Sequence, residues 1–75
     1  MKKGIYRHYK GNYYELLDIA LHSETLEEMV VYRALYGEKK LWVRPKSMWS
    51  EKVNIDGGEV LRFTYADEQN QGENI

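Results

Sequence analysis

Apolar runs rich in Tyr, Val, Ile, Leu and Trp alternate along the chain with turn signals at Gly11-Asn12, "HSET" at 22–25, "GEKK" at 37–40 and "DGG" at 56–58. Such close spacing predicts short antiparallel strands. They are expected near 4–9, 13–21, 29–36, 41–44, 52–55 and 60–65, with one helical or 3₁₀ turn in "PKSMWS", which holds the single proline, Pro45. A helix over "TLEEMVVYRALYG" competes, because Thr25 and Glu28 form a capping-box pattern and Gly37 sits where a C-cap glycine would. Residues 29–32, "MVVY", would however cover every side of that helix, and a small domain can bury only one side. Strand is therefore favoured over 25–36; a helix there would make the fold α+β.

The first hairpin is predicted in register. A two-residue Gly11-Asn12 turn sets Lys10 against Tyr13, Tyr9 against Tyr14, His8 against Glu15, Arg7 against Leu16 and Tyr6 against Leu17. Alternation then puts Ile5, Arg7, Tyr9, Tyr14, Leu16, Asp18, Ala20 and His22 on one face, and Tyr6, His8, Lys10, Tyr13, Glu15, Leu17, Ile19 and Leu21 on the other. The second strand, about 30 Å if straight, is too long for so small a flat sheet and is expected to bend, as strands of small barrels do.

Length and composition narrow the class. A chain of 75 residues makes one small domain, which buries only ~60% of its unfolded surface, so every large apolar residue has a structural claim on it. The absence of cysteine excludes a disulfide scaffold, a thiol nucleophile and a cysteine-ligated zinc, and fits a reducing cytoplasm. No apolar run approaches a membrane span, and the basic start "MKKGIYRHY" has no apolar segment behind it, so a soluble, unexported protein is expected. The net charge of −1 is uneven: residues 1–10 carry four cations and no acid, and the end "ADEQNQGENI" carries three acids and no base. Without those three acids, 11 cations face nine acids, an excess of two that is weak beside the strongly basic surfaces of phosphate-binding domains. The expected organisation is one domain over 1–65 and a disordered acidic tail over 66–75.

The segments "GIYRHYKGNYYELL", "ALHSETLEEMVVYRALYG" and "LWVRPKSMW" together resemble the DUF1653 family, bacterial domains of unknown function, over residues 4–65. "HYKGNYY", "HSET", "VVY" and "WVRP" carry the resemblance. The family pattern has glycine where this chain has Asp18 and a charged residue where it has Leu21, which implies that Tyr14, Leu16, Ala20 and His22 face inward. Its final aromatic is usually Phe where Trp49 stands, a change of size that implies a rim position for Trp49. The resemblance implies no activity, substrate or cofactor.

Candidate chemistry is sparse. His8 opposite Glu15 would suit a general base oriented by a carboxylate, but no nucleophile lies nearby, and an exposed cross-strand ion pair accounts for the same two residues. Ser23 and Thr25 flank His22 in a turn where hydroxyls ordinarily bond the backbone, so His22 is read as a buried, hydrogen-bonded histidine. Two histidines without short spacing make no metal nucleus, and Gly57-Gly58 reads as a turn with no helix after it to cradle phosphate. No catalytic residue, metal or cofactor is assigned. What remains is an aromatic and cationic set, Tyr6, His8, Lys10, Tyr13, Arg33, Trp42, Arg44 and Trp49, in which Trp42 and Arg44 share a face by alternation. Rings beside cations stack nucleic-acid bases or line grooves for extended peptides. They also serve as plain rim packing.

The expected fold is a small all-β domain, an SH3-like barrel of five or six antiparallel strands. The expected function is a non-catalytic binding or adaptor module that takes a protein segment or small ligand through His8, Lys10, Tyr13, Arg33, Trp42, Arg44 and Trp49. Single-stranded RNA on the same surface is the alternative, and a hydrolase using His8 or His22 ranks third. A homodimer stays open, since exposed strand edges need cover.

Overall fold

The computed structural model describes residues 1–66. Its order is β1 (Gly4–His8), β2 (Tyr13–Leu21), β3 (Glu28–Ala34), β4 (Leu41–Pro45), α1 (Lys46–Trp49), β5 (Lys52–Ile55), β6 (Gly58–Leu61) and β7 (Phe63–Tyr65). The long apolar stretch in the middle is strand, as its β-branched and aromatic content requires. Five strands pair antiparallel in the order β4-β3-β2-β1-β7, and β5-β6 form a separate two-stranded sheet. The domain is thus mostly β with one short helix, and its strand order has two ends rather than closing into a ring. Among the described residues, no helix is long and apolar enough to cross a membrane.

The first hairpin departs from the predicted register. Arg7 faces Tyr13, Tyr6 faces Tyr14, Ile5 faces Glu15 and Gly4 faces Leu16. His8 N donates to Asn12 O at 2.8 Å and Gly11 N to His8 O at 2.7 Å, which closes a loop of Tyr9, Lys10 and Gly11 in place of a two-residue turn. Gly11 makes that loop, because its φ of +110° is open to glycine and costly for residues with a Cβ. The pairing moves by an odd number of positions, so the faces of β1 exchange: Tyr6 and His8 turn inward, Ile5 and Arg7 outward.

A second correction lies in β2. Leu16 pairs with Tyr32, yet Asp18 pairs with Val31, so Leu17 is an extra residue in a bulge. The bulge bends the long strand and inverts its alternation. Leu16 and Ile19 both pack on the core, whereas Ala20, expected inside, is exposed. The expected strand 60–65 is also divided, because Arg62 leaves the ladder. Its N–H donates to Glu51 O and its carbonyl accepts from Tyr9 N, both at 2.9 Å. Residues before it therefore pair with β5 and those after it with β1. Of the expected tail, residues 67–75 lie outside the described residues, and Ala66 belongs to the fold: it is buried and donates to Ile5 O.

The core lies on one face of the five-stranded sheet, hereafter the inner face, and comprises Tyr6, Leu16, Val30, Tyr32, Trp49 and Phe63, edged by Tyr14, Ile19 and Tyr65. Pro45 ends β4 and starts α1, since it has no N–H for a ladder and its φ suits the approach to a helix. The single turn that follows swings Trp49 under the sheet. Trp49, expected at a rim, is 2% exposed, stacked on Phe63 at 3.7 Å and 3°, and edge-on to Tyr6 and Tyr32. The β5-β6 hairpin turns on Asp56 and Gly57, both at positive φ, as a two-residue hairpin loop requires. It makes no extensive contact with other elements, and a hollow of about 360 Å³ lies between it and the residues Arg7, Tyr9 and Thr64.

The two tryptophans should therefore behave oppositely. Trp49→Ala should cost about 3–5 kcal/mol and leave little folded protein, whereas Trp42→Ala, at a side chain 54% exposed, should stay within about 1 kcal/mol, both measured by urea unfolding.

Candidate ligand-binding face

Alternation along β1, β3, β4 and β7 decides which side chains reach the inner face. His8 does so beside Phe63, and Trp42 and Arg44 do so opposite Tyr32 and Val30. The predicted sharing of one face by Trp42 and Arg44 is what the β4 register shows. The rest of the predicted set is dispersed. Tyr13 and Arg33 lie on the outer face, Tyr13 opposite Arg7 and Arg33 opposite Leu41. Lys10 is in the exposed β1-β2 loop, and Trp49 is in the core. Tyr6 is also core, its hydroxyl donating to Lys2 O at 2.6 Å.

Arg44 is the distinctive group. Its guanidinium carbon lies 5.9 Å from the centre of the Phe63 ring, and the His8 ring lies 5.0 Å from the same ring. Among the described residues it has no carboxylate within salt-bridge distance, and its Nε is buried with no partner. Arg62 stands nearby with its own Nε unpartnered, but its terminal nitrogen is held by Glu51 at 2.9 Å. A cation that is half buried and unpaired leaves a local positive field against a wall of rings.

Two neighbouring groups are shifted chiefly by burial, with Arg44 the smallest contributor to each. The His8 pKa is lowered, first by burial and then by the charges of Arg62, Lys10 and Arg44, so the ring is held neutral. Its Nδ1 accepts the Lys10 N–H at 3.2 Å. Tyr14 is pushed up to about 12, first by burial and then by its hydrogen bond with Tyr36, with Arg44 pulling the other way. The Tyr14 and Tyr36 hydroxyls are 2.6 Å apart. Tyr36 and Trp42, with Ala34, Glu38, Lys39 and Lys40, line a hollow of about 250 Å³ at the β3-β4 end of the sheet.

The predicted pairing of His8 with Glu15 is not formed. Glu15 is on the outer face opposite Ile5 and Arg33, a consequence of the shifted register. His22 is hydrogen-bonded but exposed, not buried. Its Nδ1 accepts from Glu24 N at 3.2 Å and Thr25 N at 3.4 Å and so shapes the loop, while Thr25 Oγ1 accepts from Glu27 N. Among the described residues, no three His, Asp or Glu side chains are grouped closely enough to hold a metal ion. Arg62, Tyr36 and Phe63 escaped the sequence reading. Only the correct register of β1 and the break at Arg62 bring Phe63 and Arg62 beside His8.

The family profile described as a protein of unknown function (DUF1653) matches residues 4–65. The chain is also similar to a DUF1653 protein from Bordetella bronchiseptica known from its crystal structure, with 38% identity and a TM-score of 0.81 over 88% of this chain and 87% of that one. No functionally curated protein matches.

The lowered His8 pKa makes a prediction of sign. The unfolded chain binds a proton near pH ~6.5 that the folded state refuses, so stability is full above that pH and declines as pH falls from ~6.5 toward the folded value. Thermal midpoints measured between pH ~7.5 and ~5.5 should fall in the natural protein and in His22→Gln, and fall less in His8→Gln.

Proposed function

This chain belongs to the DUF1653 family, whose function is unknown, and from that premise we propose that it is a non-catalytic binding module for a negatively charged protein segment or small ligand. The observation that carries the reading is Arg44: a half-buried guanidinium with an orphaned Nε and no acid beside it, set over Phe63 and next to a neutral His8. An intramolecular carboxylate would neutralise such a group if its role were only structural. An incoming carboxylate or phosphate meets a charge that is already partly desolvated and held by a ring, so ordering Arg44 costs little. Trp42, on the same face of β4, offers an aromatic contact beside that charge, and Tyr36 lines the hollow beyond it with Glu38, Lys39 and Lys40. The narrower adaptor reading rests on the same face, with Trp42, Arg44 and His8 as its contact residues and Lys10 at its margin.

Within this reading the bent β2 and the α1 plug stand for the SH3-like barrel expected from the sequence, as a partly open version. A bacterial, cytoplasmic setting fits the lack of cysteine and the bacterial origin of the similar structure.

Amide and indole shifts recorded with a pool of acidic peptides should cluster at His8, Trp42 and Arg44 and saturate. Arg44→Gln should weaken binding about 10- to 100-fold, the range of a charge-assisted hydrogen bond, while leaving the unfolding midpoint nearly unchanged. A random single-stranded RNA pool that binds more tightly, with an affinity falling steeply from low to physiological salt, would transfer the site to nucleic acid. Shifts confined to other surfaces would end the proposal.

A further inference from the structure

Among the described residues, β4 is an end strand of the sheet with nothing paired to its far side. It nevertheless carries three consecutive exposed apolar residues, Leu41, Trp42 and Val43, 53%, 54% and 62% exposed. Ala34 N donates to Lys40 O, so alternation points the backbone groups of Trp42 and Arg44 toward β3 and those of Leu41 and Val43 outward. Among the described residues, two N–H and two C=O groups of this apolar strand are thereby open to another chain. Pro45, without an N–H, limits the usable edge to about residues 40–44.

Charge selects the occupant. From 39 to 50 the chain holds Lys39, Lys40, Arg44 and Lys46 and no acid, although Lys40 and Lys46 reach back to Glu38 and Glu28. A second copy would fare badly here: the antiparallel register that uses both Leu41 and Val43 sets Lys40 against Arg44 at each end. We propose that β4 takes an extended acidic segment of another protein as an added strand, the segment's carboxylates meeting Lys40 and Arg44. This proposal rests on the reading of Arg44 as a ligand-facing charge and names the partner that reading lacks. The face of each side chain follows from the pairing. Segment residues opposite Lys40, Trp42 and Arg44 share the inner face, and those opposite Leu41 and Val43 share the outer face. The fitting pattern is acidic, apolar, aromatic, apolar, acidic.

The probe is the synthetic peptide acetyl-Glu-Val-Tyr-Val-Glu-amide, with a twin N-methylated at both valines and a twin with lysine for glutamate. The expected result is saturable shifts at the Leu41 and Val43 amides with their hydrogen exchange slowed about tenfold, and a loss of at least tenfold in affinity for either twin. Val43→Pro removes an outward N–H and should weaken the parent peptide equally; the N-methylated twin makes the same test on the unaltered protein. Binding that moves Arg44 and His8 but is indifferent to N-methylation would overturn strand addition and leave the anion-binding face standing. No binding of the parent peptide alongside saturable shifts with other acidic peptides would do the same, and silence from all acidic peptides would end both readings. A dimer in sedimentation that Val43→Pro dissociates would give the edge to a second copy and refute the acidic partner.

Discussion

The stack of Trp49 on Phe63, parallel and 3.7 Å apart, is the contact on which the rest of this small domain leans. It joins a one-turn helix to a three-residue strand, neither of which would persist alone. Tyr6 and Tyr32 meet the indole edge-on from β1 and β3, so a single side chain is gripped by segments from both ends of the chain. Aromatic pairs of this kind add roughly 0.5–1.5 kcal/mol each beyond the area they bury. In a domain with so little interior, those increments are a substantial part of net stability.

The same stack shapes the exposed part of the inner face. Trp49 covers the centre, while Arg44 lies 5.9 Å from the centre of the Phe63 ring and Trp42 is in the open. The unpaired charge and the open strand edge therefore occur on one strand, β4. On the other flank Glu51 answers Arg62, and that balance makes the solitude of Arg44 a local feature rather than a property of the composition.

Much of the architecture was legible in the residues. β-branched and aromatic runs marked strands, "DGG" marked a turn, and "PKSMWS" marked the one helical turn. What was not legible depended on parity. Gly11-Asn12 reads as a two-residue turn, yet the loop that forms uses Gly11 as its last member, and that odd change of register turned His8 from the outer to the inner face. Leu17 looks like any other apolar strand residue, so nothing in its identity announces the bulge that exposes Ala20. Trp49 was placed at a rim because a change between Phe and Trp suggested room. The indole is instead buried at the centre of the core, stacked on Phe63. Of the binding set, Trp42 and Arg44 were read correctly as companions because alternation within one strand needs no knowledge of register, whereas Tyr13 and Arg33 needed it.

The β5-β6 hairpin stands apart from this economy. It has its own two-residue turn and its own ladder, and it meets the main sheet chiefly through the backbone and side chain of Arg62, with a hollow beneath it. Lengthening a loop costs free energy only logarithmically, and here the added chain would emerge at Asp56 and Gly57, away from every core residue. This corner of the molecule is where the architecture can grow: descendants of the fold can vary it in length and composition, or graft a new contact onto it, without renegotiating the tryptophan at the centre.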